Sequence, residues 1–199
     1  MTIKQRIESI SAVFNWSKKA FEETQQILES TADSRFTLAE RTFFIHYLLG
    51  FTYILIMELC KLTDAPSKKY PTSNAASIGG LLNDLEKADP PYLEFQSWKD
   101  TFDLVQSLNI YHVLRDKRDK EFAHLDGTPN SDPFVKRLFT LSEYNELQKM
   151  IALLEGLVRE FEETTGEYTY PDYHSVSGIN TAEFIEQFKK LKKIPLGEQ

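Results

Sequence analysis

An all-α fold is predicted by three features of the chain. Apolar residues recur every three or four positions through long stretches free of proline. Short segments of proline, glycine, serine and aspartate separate those stretches. No run shows a convincing alternation of period two, as a half-buried strand requires. The expectation is a bundle of four or five main helices with a short C-terminal helical appendage. At 199 residues the chain is long enough for one domain with its own core, needing no disulfide or metal to fold. Residues 1–166 form the expected helical domain, and residues 167–199 an extension packing on it.

The first helix spans residues 3–30. Ile3, Ile7, Ile10, Phe14, Phe21, Ile27 and Leu28 recur at near-helical spacing, and Trp16 extends the stripe. Residues 30–34 break it. Thr37 and Glu40 have the spacing of a capping box, opening a second helix that runs to about Lys61. Its middle is apolar on nearly every side, so neighbouring helices surround it or a second subunit covers one face. Leu62-Thr63-Asp64 closes it, and residues 65–76 form a loop with two prolines.

A third, shorter helix starts near Ser77 and carries Ile78, Leu81, Leu82 and Leu85. Gly79 and Gly80 weaken its first turn and suit close backbone packing there. Asp89-Pro90-Pro91 ends it. A long helix follows over residues 92–124, with Leu93, Trp98, Phe102, Val105, Leu108, Val113 and Leu114 as apolar positions. After a loop over residues 126–133, Thr140 and Glu143 form a second capping box and open a helix that ends near Thr165-Gly166. Residues 168–177 are irregular. Asn180 or Thr181 caps a last helix over residues 182–193.

Composition narrows the function. The formal net charge is −7, so the chain is not a general nucleic-acid coat, and any RNA contact must be a local basic patch on an acidic body. Cys60 is the only cysteine, which excludes an internal disulfide and a Cys-rich zinc site and fits a reducing, cytoplasmic setting. The N-terminal residues carry charges where a signal peptide needs an apolar run. The most apolar segment, residues 43–57, is about 15 residues long, short of the roughly 20 that span a bilayer. A buried central helix without membrane contact is the expectation, with His46 a hydrogen-bonded core histidine.

Residues 115–126 differ from the rest. Arg115, Lys117, Arg118 and Lys120 crowd with Asp119, Glu121 and Asp126 around His124, and Asp126-Gly127-Thr128-Pro129 ends the run. An arginine binds phosphate through a planar fork of donors, and a histidine exchanges protons near neutral pH. Together they suit RNA cleavage: a base takes the ribose 2′-hydroxyl proton, a cation stabilises the phosphorane, and an acid protonates the leaving 5′-oxygen. Arg115 and Lys117 are the candidate RNA-phosphate contacts, with Lys120 beside them. On a regular helix Arg118 and His124 stand about 120° apart around the axis and about 9 Å apart along it. A two-fold dimer would bring two such pairs to one seam. The same residues also fit a solvated helix end, with Arg115–Asp119 and Arg118–Glu121 as ion pairs and His124 as a C-terminal cation facing the helix dipole.

The segment Arg118-Asp119-Lys120-Glu121-Phe122-Ala123-His124-Leu125-Asp126 resembles the signature of HEPN domains: an arginine, a polar residue, a few more positions, then a histidine. Its form is similar to that of the AbiU-type HEPN-like abortive-infection branch, a toxin branch. Leu55 to Asp64, a loop, and then Ser77-Ile78-Gly79-Gly80-Leu81-Leu82 resemble that branch's helix ending in Leu-x-Asp, loop, and Ser-Ile/Leu-x-x-Leu-Leu. The similarity runs over about residues 5–165.

This resemblance implies an HEPN-like bundle and a homodimer with the motif at a shared cleft. In active members it implies a metal-independent endoribonuclease of phage defence or toxin–antitoxin systems. Arg118 and His124 become the catalytic pair, Asp119 the polar residue after the arginine, and Lys120 and Asp126 supporting residues. No cofactor is expected; the expected partners are RNA, a second copy of the chain and a cognate antitoxin protein. A non-catalytic HEPN-like module that binds RNA or protein is the alternative, because fold alone does not establish activity.

Four histidines at scattered positions match no metal-ligand spacing. His112 stands one turn before Arg115 and is a candidate to line the same cleft. Lys189, Lys190, Lys192 and Lys193 suit either RNA phosphates or a solvated helix face, and Tyr168, Tyr170 and Tyr173 suit base stacking or packing.

Overall fold

The computed structural model describes residues 2–31, 38–64, 76–122 and 138–165, together with Glu183 and Glu186. The elements in order are α1 (Ile3–Thr31), α2 (Leu38–Thr63), α3 (Ile78–Leu85), α4 (Phe95–Ser107), α5 (Asn109–Lys117), a π-helical turn (Arg118–Phe122) and α6 (Leu141–Thr165). Among the described residues there is no strand, and the all-α expectation holds. The Thr37–Glu40 capping box lies outside the described residues. So does nearly all of the C-terminal extension, in which Glu183 and Glu186 are helical.

Three helices, α1, α3 and α6, begin where side chains satisfy their first amide groups. Thr140 and Glu143 do form a capping box: the Glu143 amide donates to Thr140 Oγ1 at 3.2 Å, and the Thr140 amide donates to Glu143 Oε2 at 2.6 Å. Thr2 and Gln5 make the same reciprocal pair at the start of α1, at 3.2 and 3.0 Å. Ser77 caps α3 by accepting from the Gly80 amide at 3.2 Å.

A main core runs through the bundle, with a smaller cluster of Ile27, Phe44 and Leu48 between α1 and the first half of α2. Ile7, Ile10 and Phe14 of α1 meet Leu55, Ile56 and Leu59 of α2, Leu81 of α3, Trp98 and Phe102 of α4, and Leu154 and Phe161 of α6. Trp98 and Phe161 pack edge to face with ring centroids 5.2 Å apart. Ion pairs fasten the outside: Arg6 of α1 to Asp84 of α3 at 3.0 Å, and Lys18 of α1 to Glu155 of α6 at 2.7 Å.

The expected helix over residues 92–124 is three pieces. Leu108 is extended (φ −67°, ψ 139°), which ends α4 and starts α5. The freed Ile110 amide donates to Glu146 Oε2 of α6 at 3.0 Å. A carboxylate from another helix therefore caps α5, at the end where the helix dipole favours negative charge. Local apolar spacing is continuous across Leu108 and cannot register a cap supplied from 36 positions away.

The apolar stripe of α1 is also narrower than expected, since Trp16 and Leu28 are exposed. On α2 the inner face is buried, but Ile45, His46, Tyr47, Tyr53 and Ile54 lie on an exposed outer face. His46 is therefore not a core histidine. The stretch Phe44–Thr63 is long and apolar enough to cross a membrane by composition alone; here the buried residues of its second half, Leu55 to Leu62, belong to the same core as α1, α3 and α4, while Phe44 and Leu48 pack with Ile27.

Trp98→Ala or Phe161→Ala should lower unfolding free energy by about 3–5 kcal/mol, and Thr140→Ala by about 1 kcal/mol. Urea unfolding followed by far-UV circular dichroism measures both.

Candidate functional site

The last residue of α2's motif, Asp64, is where the separated segments meet. Thr63, fully buried, ends α2 and bonds back to the Leu59 carbonyl at 2.8 Å. The Ser77 hydroxyl donates to the Asp64 carbonyl at 2.5 Å while its oxygen caps α3. One serine thus ties the end of α2 to the start of α3, and the Asp64 backbone is held in place.

Two arginines converge on this carboxylate from α5 and the π turn. Arg118 Nη1 donates to both Asp64 oxygens, at 3.1 and 2.9 Å. Arg115 Nη2 donates to the Thr63 carbonyl at 2.8 Å and to Asp64 Oδ1 at 3.3 Å. Arg115 also lies over the Tyr111 ring, 3.6 Å from its centroid, a cation–π contact. His112 is exposed and edge-on to the Tyr111 ring, with centroids 5.2 Å apart.

Arg118 is gripped on a second edge. Its Nε donates to Asp119 Oδ1 at 2.8 Å. That bond, ahead of the attraction to Asp64, raises the guanidinium pKa further above its ordinary range, so Arg118 is a permanent cation. The reciprocal bond lowers the Asp119 pKa. Among the described residues nothing accepts from Arg118 Nη2.

One of the expected ion pairs is replaced; the other falls on the Glu121 side chain, which lies outside the described residues. Arg115 pairs with Asp64 across the bundle rather than with Asp119 along the helix. The π turn fits this: from Arg118 onward it takes in an extra residue, which shifts Asp119 around the axis from its place in a regular helix. It also removes the basis for the 120° separation of Arg118 and His124, which assumed a regular helix.

The supporting cations divide. Lys117, expected on RNA phosphate, is buried at 7% exposure, with Nζ donating to the Leu138 carbonyl at 3.0 Å and facing the Phe139 ring. That corrects its assignment: the side chain ties α5 to the start of α6. Lys120 is exposed and pairs with Asp116 at 2.8 Å, a bond that raises its pKa. Glu121 belongs to the π turn; His124 and Asp126 lie outside the described residues, as do the C-terminal lysines and tyrosines singled out above. Among the described residues no three His, Cys, Asp or Glu side chains are grouped to hold a metal ion.

Beneath the arginines lies Cys60, buried on α2. Burial pushes its thiol up to about 11, partly opposed by the positive fields of Arg118 and Arg115.

The family model HEPN_AbiU2, described as AbiU2, matches residues 40–175. That span takes in all but the first two residues of α2, together with α3, Asp64 and the whole segment of residues 115–126. No curated protein matches the chain, and no solved structure does.

Lys117→Ala should lower stability by about 1–3 kcal/mol by removing a buried bond and the aliphatic stem, whereas Lys120→Ala should leave the unfolding midpoint in place. Chemical denaturation of the two variants reads the contrast. Cys60 should alkylate at pH 8 far more slowly than a free thiol. The folded chain holds the Cys60 proton more tightly than the unfolded one. Its contribution to stability is therefore intact below the ordinary value of 9.0 and is lost as pH rises toward about 11, which a pH series of thermal midpoints checks.

Proposed function

The chain belongs to the AbiU2 family of HEPN abortive-infection proteins, and from that premise we propose that it is a metal-independent endoribonuclease acting in phage defence or as the toxin of a toxin–antitoxin pair. One observation carries the reading. The arginine of the motif is locked on two edges by carboxylates and keeps one nitrogen, Nη2, without a partner among the described residues. A guanidinium held this way is a preorganised donor for a phosphate oxygen.

In the proposed reaction His124 takes the proton of the ribose 2′-hydroxyl. The 2′-oxygen attacks phosphorus, and Arg118 stabilises the added negative charge on the phosphorane. The bond to the 5′-oxygen breaks, and a protonated histidine returns a proton to that leaving oxygen. The products are a 2′,3′-cyclic phosphate and a 5′-hydroxyl, so no water or oxidant is consumed. Two histidines at one seam divide the acid and base roles, which is what a homodimer would supply. The exposed apolar outer face of α2, with Ile45, Tyr47, Tyr53 and Ile54, supports association with a second copy. The setting is cytoplasmic, and an antitoxin protein would restrain the activity.

A second reading, a non-catalytic module binding RNA or protein, is favoured by the charge balance of the site. Arg115 and Arg118 face Asp64 and Asp119, so the cluster carries little net charge.

The purified chain should cleave single-stranded RNA in EDTA and sediment as a dimer. Arg118→Ala and His124→Ala should each slow cleavage by at least about a hundredfold with folding intact. RNA retention without cleavage would select the second reading instead.

A further inference from the structure

The motif itself contains Arg118 and Asp119, but a second anchor of the arginine comes from 54 positions earlier in the chain. Asp64 uses both carboxylate oxygens on one nitrogen of Arg118, at 3.1 and 2.9 Å. It is also the less exposed of the two acids. Asp119 is 63% exposed on the π turn, whereas Asp64 is 37% exposed and its main chain is fixed by Ser77. Arg115 supports the same carboxylate and the preceding carbonyl, which keeps the acid from rotating away.

The geometry follows from the shape of a guanidinium. Its nitrogens share one plane, so holding Nη1 and Nε fixes where Nη2 points. Asp119 alone, on a neighbouring position of the same turn, restrains one edge and leaves the plane free to swing. Asp64 removes that freedom from outside the turn.

We propose that Asp64 is a positioning residue for Arg118: it sets the guanidinium plane so that Nη2 meets the non-bridging oxygen of the scissile RNA phosphate. This rests on the nuclease reading above. Its contribution is orientation rather than attraction, because a second negative charge beside the arginine weakens the pull on phosphate while narrowing its direction. A displacement of about 1 Å at such a donor costs on the order of a hundredfold in rate.

The test uses the full-length chain and a labelled single-stranded RNA oligonucleotide in EDTA, under single-turnover conditions with saturating protein. Asp64→Asn should lower the cleavage rate constant about ten- to a hundredfold, with little change in the half-saturating RNA concentration. Asp64→Glu, which restores the charge on a longer arm, should recover part of the rate. Nitrogen-15 NMR of the arginine side chains should show a slowly exchanging Arg118 Nε–H in the wild type that Asp64→Asn speeds. A variant that is only partly unfolded would keep the rate constant of its folded fraction, so a lowered constant reports the site. An Asp64→Asn chain that cleaves as fast as the wild type, or faster, overturns the role of Asp64 and leaves the nuclease reading standing. A wild-type chain that leaves RNA intact overturns the nuclease reading, and this role with it.

Discussion

The arrangement depends on one carboxylate in an unfavourable place. Asp64 follows the C-terminal end of α2, where the helix dipole presents partial negative charge and a carboxylate is repelled. Two guanidinium groups reverse that balance. Arg115 takes the Thr63 carbonyl and one Asp64 oxygen; Arg118 takes both oxygens. The end of α2, the start of α3, the last turn of α5 and the π turn all meet there, although α2 and α5 lie far apart in the chain. A lone exposed ion pair would add little to stability. A shared carboxylate with a fixed backbone does something else: it determines where two long, flexible cations end.

That convergence requires the breaks in the helix that precedes it. Leu108 redirects the chain between α4 and α5, and Glu146 of α6 holds the new start. Arg115 and Arg118 are one turn apart and can face the same acid from adjacent levels. The π turn then begins at Arg118 itself. Its extra residue turns Asp119 toward Nε of its own neighbour, a contact between adjacent residues that a regular helix disfavours because consecutive side chains diverge by about 100°. The local irregularity and the double grip on Arg118 are one feature. Lys117 contributes from the opposite side, binding the Leu138 carbonyl so that the end of α5 cannot drift from α6.

Much of the scaffold was legible in periodicity and caps. Ser77, Thr140 and Glu143 stand at helix starts as their spacing predicts, and the buried stripe of α1 follows its apolar pattern from Ile7 to Phe21. The split at Leu108 was not, because its cause is a side chain of another helix. His46 was misread for a related reason. An apolar helix looks buried on all sides in sequence, but only packing decides which side faces the core, and the side carrying His46 does not. Arg118 and Asp119 are visible as a motif. The pairing with Asp64 is not, even though Leu62-Thr63-Asp64 stands out as a pattern, because spacing along a chain carries no information about which distant acid an arginine reaches. Lys117 was read as a phosphate contact on charge alone; one helical position separates it from Arg118 and turns it inward.

The charge of this region bears on how it could treat RNA. Asp64 and Asp119 oppose Arg115 and Arg118, Asp116 opposes Lys120, and Lys117 is buried against a carbonyl. Little positive field is left to draw a polyanion in from solution, and the chain as a whole carries −7. On the proposed reading, the arginine is therefore set to recognise a phosphate already delivered, through direction rather than through long-range attraction. Delivery would then fall to surfaces outside this cluster, and a second copy of the chain would be the simplest source of one. A site with that division of labour should show weak, salt-tolerant binding and strong geometric selectivity. The opposite pattern belongs to proteins that hold RNA by neutralising its backbone.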